Sequence, residues 1–236
     1  MKMNRKTFPK CEAQKKLIKH SLDTRQYIEG KIPITGRSWI NYSIQLFPDI
    51  EQKQLLKYMK NKDYLDIACG INHEYNKSLL NNISNTNQKK KHGLDIHTKN
   101  KQINSIKYFK GSIYNTKFPN NSYDCITINN FLYFWESNSK NLLNSYKELN
   151  RICKKGGEIR IFPVFFGNYY NDTIELFDFL NQHFSIQLLR PQKDYSNESP
   201  VYIEEGEIKQ TDKRNGINEY KLNHELMAHC LVLRKL

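Results

Sequence analysis

Residues 62–72 read KDYLDIACGIN, an apolar strand that runs directly into a turn of small residues. Small side chains at the end of a strand let the backbone approach a ligand closely. A helix is predicted from about His73 to Asn82, so the N–H groups at its start would face the same ligand. The turn holds one glycine, Gly70, where nucleotide-binding turns usually hold two or three. The rest of the chain therefore decides what this turn does.

Length and composition describe one α/β domain with an added cap. The chain has 236 residues, of which 38% are hydrophobic, and it contains no apolar run of about 18 residues that predicts a transmembrane helix. No apolar stretch follows the basic start, Met1 to Lys6, so no secretory signal is predicted. The five cysteines are widely spaced and form no metal-ligand pattern, so we expect neither a metal nor a disulfide framework. These features predict a cytoplasmic protein.

The net charge of +13 leaves two interpretations open. Lysine is spread through a chain that is also rich in asparagine and isoleucine, which favours a solvated surface. The densest basic runs, residues 2–19 and 89–91, leave weak binding of RNA or another polyanion as the second interpretation. No RNP1 pattern of an RNA-binding domain supports it.

Strands and helices alternate from Tyr64 onward, which predicts a mostly parallel sheet with helices on both faces. The seven predicted strands are Tyr64–Ala68, His92–Ile96, Ile106–Phe109, Tyr123–Asn129, Glu158–Phe162, Phe184–Leu189 and Leu226–Leu233. Helices are predicted at His73–Asn82, Asn138–Cys153 and Thr173–Gln182. The run Lys154-Lys155-Gly156-Gly157 is interpreted as a helix stop, with cations in the last turn and glycine beyond it.

Two segments lie outside this alternation. Residues 1–50 lack a strand pattern and are predicted to form a helical lid on the main domain, residues 51–236. Arg37, Trp39 and Tyr42 are the lid residues that we expect to reach a ligand. A hairpin insert is predicted at about residues 195–222, because Val201–Ile203 and Glu219–Leu222 flank Asn215-Gly216, a favoured turn pair.

The second informative position is Asp95, which ends the predicted second strand 25 residues after Gly70. In nucleotide-binding α/β folds, an acid at about this distance accepts hydrogen bonds from the ribose hydroxyls. A carboxylate suits this role because its charge strengthens both bonds to a diol.

Four blocks, taken in order, resemble the class I S-adenosylmethionine-dependent methyltransferase family. They are Asp66 to Asn72, Asp95, Gly111-Ser112-Ile113 with Phe118 to Asp124, and Glu148 to Gly157, and they span roughly residues 64–164. The resemblance implies a Rossmann-like fold, S-adenosyl-L-methionine as the cofactor and a transferase of class EC 2.1.1.-.

The resemblance also implies roles for the turn. Asp66 would support the turn and approach the methionine part of the cofactor through its backbone or a water. Ala68, Cys69 and Gly70 would line the methionine and the ribose, with Asn72 at the end of the same block.

Further cofactor contacts follow from the other blocks of the family. Asp95 would hold the ribose diol, and Ile96 would pack on the adenine. Ser112 and Ile113 would recognise the adenine edge, the latter through its backbone N–H. Asn129, at the end of the fourth predicted strand, would face the sulfonium.

Four positions depart from the family pattern, and one of them, Lys155 in place of the proline before Gly156-Gly157, is harmless for a helix stop. Ala68 and Asn72 stand where the family prefers glycine; the alanine is tolerated if its φ is negative, and asparagine suits a left-handed conformation. Ser112 replaces an acid that accepts from the adenine amino group. The departures predict weaker cofactor affinity and leave a catalytically silent domain open.

The methyl acceptor is not encoded in a recognisable motif. The Asn/Asp-Pro-Pro-Tyr/Phe signature of amino-group methylation on bases is missing, since Asn129-Asn130-Phe131-Leu132 stands in its place. Candidate bases are His73, Tyr133, Glu136 and Tyr169. We expect a small molecule or a protein side chain as the acceptor; the alternative is a silent domain that binds a partner or RNA through its basic surface.

Overall fold

The computed structural model describes residues 39–70, 79–83, 87, 89–129, 139–164, 174–189, 208–214, 217–222 and 229–236. The helices are α1 (Trp39–Leu46), α2 (Gln52–Met59), α3 (Leu79–Asn82), α4 (Ser139–Ile152) and α5 (Ile174–His183). The strands are β1 (Tyr64–Ile67), β2 (Lys91–Asp95), β3 (Lys101–Ile103), β4 (Ile106–Lys110), β5 (Tyr123–Asn129), β6 (Cys153–Val164), β7 (Phe184–Leu189), β8 (Ile208–Arg214), β9 (Ile217–Leu222) and β10 (His229–Lys235). No helix in these ranges is long and apolar enough to cross a membrane.

The main sheet has eight strands in the order β3-β4-β2-β1-β5-β6-β10-β7. The five strands from β4 to β6 in this order run parallel, and β10 is antiparallel to both of its neighbours. This is the predicted mostly parallel, Rossmann-like sheet with one strand more than the seven expected. The extra strand is β3, antiparallel to β4 at the sheet edge. It was not predicted because its three residues include one apolar side chain, Ile103, and show no alternation of apolar and polar residues.

Burial explains why the parallel strands formed where the sequence predicted them. All four residues of β1 are buried, and so is every residue of β5 except the half-buried Asp124, as expected for strands covered on both faces. Helix α4 places Leu142, Tyr146, Leu149 and Ile152 on its buried side, a spacing of three and four residues. The sheet and this helix together form the core beneath the site.

The predicted helix stop at Lys154-Lys155-Gly156-Gly157 is wrong. Helix α4 ends at Ile152, and Lys154 lies in β6, where its ammonium pairs with Asp63 at 3.0 Å and Asp124 at 2.7 Å. The cation at the end of the helix is Lys235 of β10, which donates to the carbonyl oxygens of Asn150 and Cys153. A lysine 85 residues away in sequence satisfies the helix end, so no local pattern could have shown it.

The hairpin insert is present as strands β8 and β9, which pair antiparallel from Ile208 to Leu222. Its first strand is described from Ile208 to Arg214, and the predicted segment Val201–Ile203 lies outside the described residues. The turn pair Asn215-Gly216 also lies outside them. The last strand is described from His229 to Lys235 and ends two residues beyond the predicted Leu233, while the predicted start at Leu226 lies outside the described residues.

The segment between α1 and α2 is fastened to the sheet by a buried arginine. Arg160 of β6 is 0% exposed and binds the Asp49 carboxylate through two nitrogens, at 2.6 and 3.1 Å. It also donates to the carbonyl oxygen of Leu46, the last residue of α1, and to Glu158. Residues 39–50 of the predicted lid therefore pack onto the sheet, while residues 1–38 lie outside the described part of the chain.

Candidate functional site

The candidate site lies where β1 ends between β2 and β5. Ile67 is level with Leu94 of β2 and with Ile128 of β5, so the three strands end at one edge of the sheet. In the sheet, β2 lies on one side of β1 and β5 lies on the other, so the strand order reverses at β1. This reversal makes the edge at the end of β1 the topological switch point. In open α/β sheets a ligand crevice forms outside the carboxyl ends of the strands at this point.

The turn after β1 is held by the end of β2. The N–H groups of Ala68 and Cys69 both point to the carbonyl oxygen of Leu94, at 2.8 and 3.4 Å. The N–H of Gly70 donates to Asp95 Oδ2 at 3.1 Å. The three residues therefore follow the neighbouring strand closely, and their path is fixed by its backbone and its terminal acid.

Ala68 has a φ of 59°, so the condition under which an alanine would be tolerated here, a negative φ, is not met. The left-handed region costs an L-residue roughly 1–2 kcal/mol, because its Cβ approaches the following carbonyl oxygen. Gly70 has a φ of 78° and bears no such cost. The turn keeps the shape that a glycine-rich turn would have, and Ala68 carries strain as a result.

Gly93 allows the turn to pack closely on β2. A Cβ at this position would lie 2.7 Å from Tyr108 Cδ1 and 2.8 Å from the Sγ of Cys69. Both distances are shorter than real carbon contacts allow, so a larger residue would displace the cysteine that belongs to the turn. Burial raises the pKa of the Cys69 thiol well above its usual range, and the charges of Asp66 and Asp95 act in the same direction. The thiol is therefore neutral, and it fills the space between the turn and β2.

Asp95 presents a half-buried carboxylate at the crevice. Its Oδ1 accepts the N–H of His97 at 2.8 Å, and its Oδ2 accepts the N–H of Gly70. Each oxygen has further acceptor capacity, so the group is oriented and still able to take two hydroxyl donors. The next residue, Ile96, is 47% exposed, which offers an apolar surface beside the acid.

The third block forms a tight turn next to this acid. Gly111 donates to the carbonyl oxygen of Asp95 at 3.2 Å, and the chain then turns between Ser112 and Asn115. Ser112 Oγ accepts the N–H of Tyr114 at 3.3 Å, and the side chain of Ile113 is 3% exposed. The predicted adenine-edge residues thus stand beside Asp95, with the Ser112 hydroxyl turned toward its own loop.

Glu148 and Arg151 fix the end of that loop. One carboxylate oxygen of Glu148 accepts both the N–H and the hydroxyl of Thr116, at 2.8 and 2.7 Å, while Arg151 binds both oxygens. Burial acts to raise the pKa of Glu148, but the hydrogen bonds from Arg151 and Thr116 outweigh it and lower the pKa to about 2. This pair of the fourth block therefore supports the end of the loop that holds Ser112 and Ile113.

Asp66 is buried, and its carboxylate lies between α1 and β5. Its Oδ2 accepts the Tyr42 hydroxyl at 2.6 Å and its Oδ1 accepts the Thr127 hydroxyl at 2.8 Å. Burial raises the pKa of Asp66 to about 7, although both hydrogen bonds act to lower it. Neither contact was predicted from the sequence. Thr127 could have been found, because a threonine between Ile126 and Ile128 in an apolar strand indicates a buried hydroxyl that needs a partner.

Asn129 ends β5 and is also joined to α1. Its amide nitrogen donates to the Gln45 side chain at 3.3 Å, and both residues are buried. Since Gln45 and Tyr42 are three residues apart, one face of α1 reaches both strand ends. Helix α1 thus packs beside the predicted sulfonium end of the site.

Several predicted residues lie outside the described part of the chain. They are Asn72 of the turn, the candidate bases His73, Tyr133, Glu136 and Tyr169, and the lid residue Arg37. Within the described ranges, no group of three or more His, Cys, Asp or Glu side chains could hold a metal ion. The described site therefore consists of the turn 68–70, Asp95 with Ile96, and the turn at 112–115.

Comparison with known proteins found one matching family model and several similar solved structures. Residues 65–161 match a family model described as a methyltransferase domain, and no curated protein matches the sequence. N-methyltransferase NodS of Bradyrhizobium japonicum, solved with S-adenosyl-L-homocysteine, is 12% identical over 78% of this chain and 82% of its own, at a TM-score of 0.38.

Two further solved structures are similar at the same level. A SAM-dependent methyltransferase of Methanosarcina mazei is 16% identical over 81% of this chain and 99% of its own, at a TM-score of 0.40. The YcgJ protein of Bacillus subtilis is 12% identical over 78% and 96%, with a TM-score of 0.40. Similarity at these values does not identify an acceptor.

Proposed function

We propose that the chain is a class I S-adenosylmethionine-dependent methyltransferase and that it transfers a methyl group to a small molecule or a protein side chain. The cofactor would bind at the turn 68–70, beside Asp95. The acceptor would meet it near the end of β5, where α1 packs against Asn129.

The observation that carries this proposal is the setting of Asp95. Its carboxylate is held by two backbone N–H groups, keeps acceptor capacity on both oxygens and stands beside the exposed side chain of Ile96. A nucleoside needs both features, an acceptor pair for its ribose diol and an apolar surface for its base. The described residues therefore fit S-adenosylmethionine.

The residues of this chain would contribute alignment and exclusion of water. S-adenosylmethionine supplies a methyl group on a sulfonium, which is an excellent leaving group. Asp95 and the turn would fix the nucleoside, and Asn129 would stand at the reacting end with Gln45 behind it. Positioning of this kind accounts for a large share of the rate in such displacements, so no base is required by the chemistry itself.

Calorimetry with S-adenosylmethionine tests the proposal. The wild-type chain should bind saturably, and Asp95→Ala should bind roughly a hundredfold more weakly, because charge-assisted hydrogen bonds to the diol are lost. Asp95→Asn keeps an oxygen that can accept from Gly70 and so separates the charge from support of the turn. Asp178→Ala, an exposed acid on α5, serves as the control that should not change affinity.

No binding by the wild-type chain at about millimolar cofactor would remove the proposal. If binding is seen, labelled cofactor incubated with small-molecule and protein fractions of a cell extract separates the two acceptor classes. Binding without transfer to either fraction would instead support the silent domain.

A further inference from the structure

A single hydroxyl joins helix α1 to the strand that leads into the cofactor turn. Tyr42 is 3% exposed, and its hydroxyl donates to Asp66 Oδ2 at 2.6 Å. Asp66 lies on β1, two residues before Ala68, where the turn begins. The bond links positions 24 residues apart, so it exists only when α1 is docked on the sheet.

The donors around Asp66 all point toward its carboxylate. Thr127 donates to Oδ1 at 2.8 Å, and the Tyr64 hydroxyl lies 2.5 Å from Thr127 Oγ1. Because the threonine proton is used on Asp66, Tyr64 must donate to Thr127. If Asp66 were protonated, its own O–H would face the hydrogen of one of these two donors, and one hydrogen bond would be lost. The arrangement therefore suits the ionised acid.

The turn after Asp66 needs support from both sides. Ala68 stays at a φ of 59° only where its surroundings hold it there. On one side, Leu94 and Asp95 of β2 bind the N–H groups of residues 68–70. On the other side, the Asp66 side chain is anchored between α1 and β5. Loss of either anchor would let the turn relax toward an ordinary conformation.

We propose that Tyr42 is a positioning residue for the cofactor turn, and that its hydroxyl couples docking of α1 to cofactor affinity through Asp66. The inference rests on the proposed function. Tyr42 acts through another side chain and is not a catalytic residue. By reciprocity, bound cofactor stabilises the docked position of α1 to the same extent.

The coupling has a pH signature. The groups that face Asp66 are Tyr42 from α1, Tyr64 from β1, Thr127 from β5, Asp95 from β2, Tyr108 from β4 and Cys69 from the turn. Of these, only the Tyr42 and Thr127 hydroxyls act to lower the pKa of Asp66, which burial has raised to about 7. Removal of the Tyr42 hydroxyl therefore raises the pKa further, and neutral Asp66 prevails up to a higher pH.

The test is the pH profile of cofactor affinity in Tyr42→Phe, measured by calorimetry from about pH 6 to about pH 9. In the wild-type chain, affinity should fall as the pH drops through about 7. In Tyr42→Phe, affinity at high pH should be about tenfold weaker, and the fall should occur about one pH unit higher. If Tyr42 had only a structural role, Tyr42→Phe would be less stable, but the pH at which cofactor affinity falls would not move.

Tyr123→Phe is the matched control. Its buried hydroxyl also forms one long-range side-chain hydrogen bond, with His92 Nδ1 at 2.8 Å, but it lies at the start of β5, away from the turn and from α1. This variant should leave cofactor affinity and its pH profile unchanged. Wild-type affinity and profile in Tyr42→Phe would overturn the inference and leave the proposed function standing. A wild-type chain that binds no cofactor would overturn both.

Hydrogen exchange in the wild-type chain keeps the inference testable if Tyr42→Phe does not fold. Saturating cofactor should slow exchange of the amides of α1, residues 39–46, while α5, which supports neither turn of the site, keeps its rates. Unchanged exchange in α1 on cofactor binding would overturn the coupling.

Discussion

The N–H of Gly70 donates to Oδ2 of Asp95 at 3.1 Å, which closes the turn after β1 onto the end of β2. Two motifs that are 25 residues apart in sequence are therefore one unit in the structure. Asp95 has a structural role in addition to any ligand that it binds, because its carboxylate sets the path of the turn. A substitution at Asp95 consequently changes both the acceptor and the shape of the surface beside it.

Ala68→Gly should stabilise the protein. The substitution removes strain of roughly 1–2 kcal/mol at a φ of 59° and adds about 0.5–1 kcal/mol of backbone entropy cost, so a net gain of about 1 kcal/mol is expected. Urea unfolding measures the free energy of unfolding, and calorimetry should show that cofactor affinity is kept or improved.

Asn61→Gly is the control for Ala68→Gly, since Asn61 has a similar φ of 66° but lies after α2. Asparagine tolerates the left-handed region, so this variant should gain little. A lower unfolding free energy for Ala68→Gly would show that the turn is not strained in the way described.

Glu148→Gln should reduce stability at neutral pH by about 1–2 kcal/mol after allowance for solvent screening. The folded-state pKa of about 2 lies below the ordinary value of 4.5, so the ionised acid stabilises the fold above about pH 4.5, and this contribution is lost as the pH falls toward 2. The difference in unfolding free energy between the variant and the wild type should therefore shrink across this window.

Glu175→Gln provides the control for Glu148→Gln, because the side chain of Glu175 is 78% exposed and its pair with Lys147 spans 4.0 Å. Exposed pairs of this kind contribute little, so the variant should unfold as the wild type does. If the difference in unfolding free energy between Glu148→Gln and the wild type stays constant from pH 7 to about pH 2, the lowered pKa of Glu148 is contradicted.

Arg160→Ala should be the most destabilising of these substitutions, at about 3–5 kcal/mol. It would leave the carboxylates of Asp49 and Glu158 without their buried cation and would free the end of α1 at Leu46. Lys53→Ala removes an exposed partner of Glu51 and should cost less than about 1 kcal/mol. Equal unfolding free energies for the two variants would refute the anchoring role of Arg160.

The sequence predicted the parallel strands well because their burial on both faces leaves long apolar runs, as in Tyr123–Asn129. It also placed Gly70, Asp95 and Ser112 at one edge, since strand ends of a parallel sheet meet there. The contacts between distant residues were out of reach. Lys235 at the end of α4 and Arg160 on Asp49 depend on the tertiary fold, and neither lies in a recognisable spacing.

The backbone conformation of the turn was not predictable from the sequence. Alanine ordinarily avoids positive φ, so the sequence alone indicates an alanine that is tolerated only at negative φ. The hydrogen bonds from residues 68–70 to Leu94 and Asp95 override that preference. A local propensity gave way here to the path that the neighbouring strand imposes.

A crystal structure of the chain with S-adenosyl-L-homocysteine tests the central claim most directly. We expect both ribose hydroxyls within about 3 Å of the Asp95 carboxylate and the base against Ile96. The sulfur should lie toward Asn129, and the side chains beyond it would then identify the acceptor pocket. A ligand bound elsewhere, or a ribose that leaves Asp95 without a contact, would contradict the account.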